Sequence, residues 1–470
     1  MRHYLLFIIT LLFFPLLSNA QTDDEEEEDI EDSISTESLI TINGWTDDQN
    51  WTPDQRWMYF LRARLDSVIN QKRTATVTRR RRVKGKNGRY YYKKYRRTVA
   101  FNADIAVSVY DLTADSTIFS HNDKEMFIPA SNQKLFVGIA ALSSLSADHL
   151  LSTRVCVDGS ILTDTVVVQA VQEEGDNGEL TTDYSRLDTL PRHYLKGNIY
   201  IQGGFDPTLD KSSIEYIAAK LMAMDVDSID GYIYCYEPLK SKTSIGSWFW
   251  NKHHSRYFAS MLYRQLNENG ILFSKPEPYG TIEAPASITA KEYTTLSTPL
   301  SQTLHRIMKN SDNFYAESIL LNLVNPNQTD SWTYDACKQK VIDMIKRAGG
   351  NVNEYIIDDG SGLSHSNMCT ASLICTILRY AYRNTRIYEP LYDSLPIAGV
   401  DGTIGSRMRG TAAYNNVRAK TGTVNGVSTL SGYVTAANGH KLAFSILVNN
   451  LNNKSAAHSL QNQLCDEMAR

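Results

Sequence analysis

The segment PASNQKLFVGIAALSSL, residues 129–145, is the stretch of this sequence that is most informative about the fold. From about Asn132 to Leu145 its residues are almost all apolar, and it lacks the polar face of a surface helix. A helix that is apolar on most sides packs in the interior of a protein. The segment therefore predicts a central, buried helix from about Asn132 to Leu145.

Ser131 and Lys134 lie at the start of this predicted helix, three residues apart. At that spacing both side chains lie on one helix face, and Ser131 is beside backbone N–H groups at the positive end of the helix dipole. A serine hydroxyl becomes a nucleophile when a base takes its proton, and a lysine whose pKa is lowered can be that base. The pair predicts a nucleophile and its base. On this motif alone, the alternative is that Ser131 is a helix N-cap.

A second polar motif, Ser311-Asp312-Asn313, interrupts the apolar stretch from Pro299 to Val324, which predicts two helices with a break near Asn310-Ser311. A second hydroxyl near a serine and lysine can pass a proton to a leaving amine, and an asparagine amide can orient a substrate carbonyl or the lysine. The alternative is again a helix cap, because Ser, Asp and Asn all favour helix starts.

The third motif, Lys420-Thr421-Gly422-Thr423, precedes two predicted strands near Thr429–Val434 and Leu442–Val448. An ammonium and a hydroxyl on a strand edge can bind a carboxylate. The glycine lets the strand approach a substrate closely, so that the N–H of Thr423 can be a second donor to an oxyanion. The alternative is a hairpin strand with an ordinary exposed lysine.

The rest of the pattern predicts an α+β fold. A helix is predicted within Trp51–Ile69, strands at Ile105–Tyr110, Val166–Val168 and Asn198–Ile201, and an amphipathic helix ending at Arg470. Strands near both ends of the chain, with helices between them, indicate a sheet that joins distant parts of the sequence.

Composition excludes several classes of protein. The chain has 470 residues, of which 42% are hydrophobic, and a formal net charge of −4, so it is neither fully disordered nor collagen-like. Beyond the first 20 residues, no apolar run approaches the roughly 18 residues that cross a bilayer. The six cysteines form no CxxC or His/Cys cluster, so no metal site is predicted. Their pairing stays open, and Cys375, in an apolar run, is expected to be buried.

The first 50 residues predict an export signal and a tail. Residues 1–20 combine Arg2, an apolar stretch and the small-residue exit Ser18-Asn19-Ala20, and residue 21 is not the cysteine that would accept a lipid. Nine acids in the ten residues from Asp23 to Asp32 predict a disordered acidic tail. The expected location is periplasmic or associated with the cell envelope, with a soluble protein after signal cleavage.

A basic block extends from Arg79 to Arg97, with eleven Lys or Arg residues, no acid, and Tyr90, Tyr91, Tyr92 and Tyr95. Nucleic acid is the usual partner of such a block, but the export signal argues against it. An anionic polymer, an acidic protein or the acidic tail of this chain are alternatives, as is a solvated loop or ribbon without a ligand. Alternation is poor, so no strand is predicted.

In this order, the three motifs are the signature of class A β-lactamases and penicillin-binding proteins. Ser131 and Ser311 are too far apart for a compact β-lactamase. Over roughly residues 100–470 the chain resembles the class C low-molecular-mass penicillin-binding proteins, the D-alanyl-D-alanine carboxypeptidase/endopeptidase family. Further stretches that resemble the family are 197–204, 206–209, 313–317, 359–364 and 395–403. Two departures are a shorter insertion between the first two motifs and the basic block.

The resemblance implies a β-lactamase/transpeptidase-like domain, in which an antiparallel sheet is flanked by helices, with an inserted smaller subdomain. The predicted boundaries are a signal peptide at 1–20, the acidic tail at 21–50, a catalytic domain at 51–160 and 287–470 with a basic insertion at 76–98, and the inserted subdomain at 161–286.

The resemblance also implies a serine acyl-enzyme mechanism without a cofactor, acting on peptidoglycan peptides and inhibited covalently by β-lactams. Ser131 would attack the carbonyl between two D-alanines, Lys134 would take its proton, and Ser311 would help to protonate the leaving D-alanine. The substrate-binding residues would be Asn313, Lys420, Thr421, Gly422 and Thr423.

Two other functions use the same motifs. An exported serine β-lactamase needs fast deacylation, and the long insertion argues against it. A catalytically silent penicillin-recognising protein need not keep Ser131, Lys134 and Ser311. Outside the motifs, Asp206 either meets a substrate amino group or forms an ordinary Asp-Pro turn.

Overall fold

The computed structural model describes residues 51–470 except 85–86, 88, 175–179, 204, 237–253, 283–289 and 325–332. The predicted export signal and acidic tail lie outside the described residues. The described strands are β1 Thr74–Lys84, β2 Tyr90–Ala100, β3 Asp104–Asp111, β4 Ser116–His121, β5 Leu150–Val157, β6 Ser160–Glu174, β7 Leu180–Lys196, β8 Ile199–Gly203, β9 Ser228–Asp230, β10 Ile233–Tyr236, β11 Leu272–Phe273, β12 Tyr279–Ile282, β13 Lys291–Pro299, β14 Tyr355–Ile356, β15 Met368–Cys369, β16 Arg418–Val424, β17 Val427–Thr435 and β18 Lys441–Asn449.

The described residues form ten α-helices, α1 to α10, and three short 3₁₀ turns. The helices are α1 Pro53–Asn70, α2 Gln133–Leu145, α3 Lys211–Met222, α4 His254–Glu268, α5 Leu300–Lys309, α6 Asn313–Asn322, α7 Tyr334–Arg347, α8 Ala371–Tyr382, α9 Thr385–Ser394 and α10 Lys454–Ala469, and the 3₁₀ turns are Ala130–Asn132, Val352–Glu354 and Gly402–Ile404.

The main sheet is antiparallel, with the strand order β16-β17-β18-β3-β4. Alternate residues of its strands face two different hydrophobic cores. Ala106 and Ala443 lie in a core with α2 and α5 to α9, whereas Val107 and Phe444 lie in a core with α1 and α10. The sheet is therefore covered by helices on both faces and joins strands from both ends of the chain, which confirms the predicted α+β fold.

Helix α2 is buried along most of its length, as its sequence predicts, with every residue from Gln133 to Leu142 in the interior. A Cβ on Gly138 would lie 2.7 Å from Cε of Met308, so the glycine allows α5 to pack directly against α2. The close packing of α5 on α2 brings the break after α5 towards the beginning of α2.

The region between α2 and α5 has a core of its own. That core contains Val155 of β5 together with residues of β7 to β10, α3 and α4. Strands β5 and β13 belong to the same sheet as β8, β10 and β12, in the order β12-β10-β8-β5-β13. Both strands lie outside the inserted subdomain predicted at 161–286, whose boundaries remain a prediction. Asp206 follows β8 and accepts hydrogen bonds from the N–H (2.9 Å) and the hydroxyl (2.7 Å) of Thr208, as in an Asx turn.

The basic block, for which no strand was predicted, forms most of the antiparallel pair β1 and β2. Alternation between polar and apolar residues is expected only where one face of a strand is buried. Every residue of β2 except Val99 is exposed, so both faces of this pair contact solvent. Because neither face is buried, these two strands need not alternate between polar and apolar residues. They could therefore not be predicted from alternation in the sequence.

All six cysteines are free and buried. Cys375 on α8 is 3% exposed, which confirms its expected place in the interior. No helix in the described part of the chain is long and apolar enough to span a membrane.

Candidate active site

Ser131 lies in the 3₁₀ turn that leads directly into α2. The preceding Ala130 has a positive φ of 45°, a conformation that redirects the chain just before the serine. The amide of Asn132 donates to Oγ of Ser431 at 2.6 Å and attaches the turn to β17. No side chain caps this end of the helix, and Ser131 Oγ instead contacts Nζ of Lys134 at 2.9 Å. The N-cap alternative for Ser131 therefore does not describe its contacts.

Lys134 is fully buried, and its Nζ has three oxygen partners. They are Ser131 Oγ at 2.9 Å, Asn313 Oδ1 at 2.7 Å and the carbonyl oxygen of Ser361 at 2.6 Å. Burial lowers the pKa of Lys134 to about 7, although the carboxylates of Asp359, Glu317 and Asp312 oppose this shift. A neutral amine has two hydrogens, which suit Asn313 and Ser361, and one lone pair, which can accept the proton of Ser131. The geometry is that of a base beside a nucleophile.

The second motif lies at the break between α5 and α6. Asp312 is the N-cap of α6, since its carboxylate accepts from the N–H of Tyr315 at 3.2 Å. The capping role predicted as an alternative for this motif therefore belongs to Asp312 alone. Ser311 has a positive φ of 58°, and its Oγ accepts from Nζ of Lys420 at 2.8 Å, while Asn313 contacts Lys134. The structure thus brings all three motifs together.

The third motif lies on β16, the edge strand of the main sheet. Lys420 is fully buried, and its Nζ contacts both Ser311 Oγ and the carbonyl oxygen of Thr421, each at 2.8 Å. Burial and the nearby charge of Lys134 lower the pKa of Lys420 well below its ordinary value. The hydroxyl of Thr421 contacts that of Thr403 at 2.7 Å, and Thr423 is exposed. The strand thus presents one buried amine beside Ser311 and carries two threonine hydroxyls.

Gly422 allows β16 to approach Ser131. A Cβ at this position would lie 2.8 Å from the backbone nitrogen of Ser131, 2.8 Å from the carbonyl oxygen of Pro129 and 2.2 Å from Oγ1 of Thr429. Two of these three atoms belong to the backbone, so they cannot rotate away. The edge of β16 therefore lies beside the N–H of Ser131, where two backbone donors could face one oxyanion.

We expect Gly422→Ala to slow acylation of Ser131 by penicillin about 100-fold or more, because the new methyl group separates β16 from Ser131 and a misplacement of about 1 Å can cost that much. Stopped-flow acylation kinetics would measure the effect, with circular dichroism to check the fold. Gly203→Ala is the matched control, since a Cβ at Gly203 meets nothing within 4 Å. Wild-type acylation by the Gly422 variant would contradict the proposed closeness of the strand.

Glu317, for which no sequence pattern predicts a role, supports the loop that contacts Lys134. This buried side chain of α6 accepts hydrogen bonds from the N–H groups of Gly360 and Ser361, both at 2.9 Å, and from the hydroxyl of Tyr334 at 3.1 Å. Burial, followed by the charge of Asp359, raises the pKa of Glu317 to about 7. Glu317 thus positions the loop whose Ser361 carbonyl contacts Lys134. Its one visible signal was a glutamate inside an otherwise apolar helix.

We expect Glu317→Gln to move the acid limb of the acylation rate to lower pH. A lysine base is active when neutral. Glu317 is ionised above about pH 7, where its charge raises the pKa of Lys134, so the loss of that charge lowers this pKa in the upper part of the acid limb. The rate as a function of pH would measure this shift, and Glu215→Gln on the exposed surface of α3 is the control. An unchanged pH profile, or one displaced to higher pH, would contradict a charge effect of Glu317 on Lys134.

Most of the chain is similar to proteins of one known family. The model of the D-Ala-D-Ala carboxypeptidase 3 (S13) family matches residues 99–169, 163–261 and 248–470. The D-alanyl-D-alanine carboxypeptidase of Actinomadura sp. (strain R39) is 25% identical over 466 residues, covering 77% of this chain and 80% of that protein. The D-alanyl-D-alanine carboxypeptidase DacB of Haemophilus influenzae is 32% identical over 195 residues, covering 41% of this chain and 40% of that protein.

A solved structure with the same fold is penicillin binding protein 4 (dacB) from Haemophilus influenzae. It superimposes with a TM-score of 0.61 at 19% identity, covering 77% of this chain and 95% of that one. The family match spans most of the described residues and all three motifs. The chain therefore belongs to the D-Ala-D-Ala carboxypeptidase 3 (S13) family.

Proposed function

We propose that this protein is a serine-type D-Ala-D-Ala carboxypeptidase, with endopeptidase action on the related peptidoglycan cross-links, and that it forms an acyl-enzyme on Ser131. The observation that carries the proposal is the set of short contacts from Lys134 Nζ to Ser131 and Asn313, with Lys420 Nζ on Ser311 beside them. Membership of a family named for this activity supports the substrate.

In the proposed first step, Ser131 Oγ attacks the carbonyl carbon between the two D-alanines as its proton moves to Lys134. The backbone N–H groups of Ser131 and Thr423 stabilise the oxyanion. Collapse of the tetrahedral intermediate breaks the peptide bond, and the departing amine takes a proton through Ser311 from Lys134. Water then attacks the ester, with Lys134 again as base, and releases the shortened peptide. The route uses no cofactor.

Asn313, Lys420 and Thr421 hold the substrate in this proposal. Asn313 orients the peptide and at the same time accepts a hydrogen bond from Lys134. The terminal carboxylate binds beside Lys420 and the hydroxyl of Thr421, so that a charged oxygen contacts the buried amine. Because burial lowers the pKa of Lys420, an arriving carboxylate favours its protonated form. Carboxylate binding is thereby coupled to proton uptake.

The proposal also includes the division of the chain into a signal peptide, a tail and two structural domains. A signal peptide at residues 1–20 exports the chain to the compartment that contains peptidoglycan, and the acidic tail at 21–50 follows it. The catalytic domain comprises 51–160 and 287–470, and the inserted subdomain comprises 161–286. The separate hydrophobic core around Val155 and Ile217 supports an inserted unit of this kind.

The experiment that tests the function combines two measurements on the purified protein. Intact-mass spectrometry after exposure to penicillin should show one covalent adduct, and incubation with a peptide ending in D-Ala-D-Ala should release free D-alanine. Fast penicillin hydrolysis without D-alanine release would instead identify a β-lactamase. A stable adduct without any peptide turnover would identify a penicillin-recognising binding protein. A cross-linked dimeric muropeptide separates endopeptidase from carboxypeptidase action.

We expect Lys420→Ala to lose most of the preference for peptides with a free terminal carboxylate over their amides. Removal of a charge-assisted contact costs roughly 1.5–3 kcal/mol, which corresponds to about 10- to 150-fold in kcat/KM. Turnover of both peptides should also fall, because Lys420 contacts Ser311. The ratio of kcat/KM for the two peptides is the measurement, with Lys340→Ala as the surface control. Equal turnover of both peptides by the wild-type protein would contradict the carboxylate-binding role.

A further inference from the structure

Strands β1 and β2, called the ribbon below, form a two-stranded sheet that is separate from the other sheets. Their register extends without a bulge from the Thr74↔Ala100 pair to the Lys84↔Tyr90 pair. Two asparagine amides bind the end of the ribbon nearest the body, with Asn453 donating to the carbonyl of Thr76 (3.0 Å) and Asn452 to that of Ala100 (2.8 Å). The ribbon is thus attached at one end and exposed along its length.

The charges of the ribbon repel one another across the strands. Arg80 lies directly opposite Lys94, and Arg81 lies directly opposite Lys93. Like charges at directly opposite positions destabilise a strand pair. The sequence contains no acid from Ser67 to Ala103 that could compensate locally. Since adjacent residues of a strand point to opposite faces, these two pairs give both faces of the ribbon a positive charge.

Three tyrosines lie at the end of the ribbon that is remote from the body. The exposed fractions are 57% for Tyr90, 52% for Tyr91 and 69% for Tyr92. Being consecutive, they also point alternately to the two faces. The guanidinium of Arg82 lies 4.2 Å from the centre of the Tyr90 ring, so cations and rings are interleaved there. This end of the ribbon therefore combines large exposed aromatic side chains with a concentrated positive charge.

We propose that the ribbon attaches the protein, end first, to a surface of anionic phospholipid headgroups. Lysine and arginine clusters bind such surfaces with a contribution of about 1 kcal/mol per residue, and tyrosine rings favour the depth of the headgroups. A single linear polyanion would follow one face of the ribbon and leave the cations of the other face unmatched. A layer of headgroups that receives the end of the ribbon contacts the cations of both faces and the tyrosines together.

The charge of the remaining chain also favours attachment by the end of the ribbon. Acids outnumber bases in the whole sequence even with the eleven cations of the block included, so the rest of the chain is acidic and is repelled by an anionic surface. Eleven residues at the usual rise of a strand extend about 35 Å, which is several times the screening length of about 8 Å at physiological salt. The ribbon therefore allows attachment without bringing the acidic body into the field of the surface.

Co-sedimentation of the full protein with vesicles tests the proposal. We expect binding to vesicles of phosphatidylglycerol and phosphatidylcholine, no binding to phosphatidylcholine alone, and a steep loss as the salt concentration rises. Binding to soluble polyphosphate without binding to the phosphatidylglycerol vesicles would overturn the choice of a lipid surface in favour of a polymer. Equal binding to both kinds of vesicle would overturn the electrostatic argument.

The decisive variant is Arg80→Glu/Arg81→Glu. Each glutamate then lies opposite Lys94 or Lys93, so the ribbon exchanges two repulsive pairs for two attractive ones and remains folded. The net change of four charges should lower vesicle partitioning about 100- to 1000-fold at constant penicillin labelling of Ser131. Lys340→Glu/Arg386→Glu makes the same charge change on the exposed body and should bind like the wild type. Undiminished binding of the ribbon variant would overturn the proposal.

Substitution of the tyrosines provides a second test of the proposal, which is independent of the charges. Tyr91→Thr/Tyr92→Thr retains every charge and keeps residues that favour strands. We expect weaker vesicle binding with the same dependence on salt, because the loss is in the headgroup contact of the rings and not in the charge. A variant that binds as tightly as the wild type would overturn the part of the proposal that concerns the tyrosines.

Discussion

Replacement of Ser131 by alanine should abolish covalent labelling by penicillin and lower turnover of a D-Ala-D-Ala peptide by roughly 10⁴-fold or more, because loss of a covalent nucleophile removes the whole acyl-enzyme route. The fold should be unchanged, since Ser131 is only partly buried and the attachment of its turn to β17 is made by Asn132. Intact-mass spectrometry measures the adduct, and D-alanine release measures the turnover.

Ser144→Ala is the matched control for this result. It removes an identical hydroxyl from an exposed position on α2, the helix that follows Ser131, so labelling and turnover should equal those of the wild type. A penicillin adduct that persists in Ser131→Ala would place the nucleophile elsewhere. Peptide mapping of the wild-type adduct would then identify the true residue.

Lys134→Ala should reduce the acylation rate by about 10²- to 10⁴-fold, the range in which general bases contribute. In the wild type, the neutral amine is the active form, so acylation is present above the pKa of Lys134 and is lost as the pH falls through about 7. The acid limb of the pH–rate profile should disappear in the variant. Acylation kinetics over the neutral range measures both effects.

A second substitution distinguishes the effect of losing the base from the effect of losing side-chain packing at this position. Lys134→Met keeps the aliphatic stem in the buried site but leaves Asn313 Oδ1 and the Ser361 carbonyl without their donor. It should lose acylation as completely as the alanine variant while retaining more thermal stability. A wild-type rate that does not change with pH near 7 would contradict the assignment of Lys134 as the base.

The local parts of the site could be predicted from the sequence. Ser131 and Lys134 are three residues apart at the start of a strongly apolar segment, and a helix places such a pair in contact whatever the rest of the fold does. The break between α5 and α6 was visible for the same reason, since Ser311-Asp312-Asn313 interrupts an apolar pattern. Short-range geometry determined both predictions.

The contacts between distant segments could not be predicted in this way. Whether Ser311 or Asp312 caps α6 depends on the positive φ of Ser311, which no residue preference indicates. The support of Lys134 by Glu317 passes through the loop at Gly360-Ser361, which is far along the chain. Only the packing of α6 against that loop shows why a glutamate is buried there.

The pairing of β3 with β18 has a consequence for biosynthesis. Since β3 is hydrogen-bonded to β18, the first strand of the main sheet cannot pair with β18 until the end of the chain has been synthesised. Strand β16, with its proposed carboxylate-binding edge, is also synthesised late. Such pairing of remote segments slows folding. A nascent polypeptide therefore contains Ser131 long before it contains a working catalyst. Reactivity towards peptides and β-lactams begins only when the ribosome has delivered the final strands, so an interrupted translation product is inert.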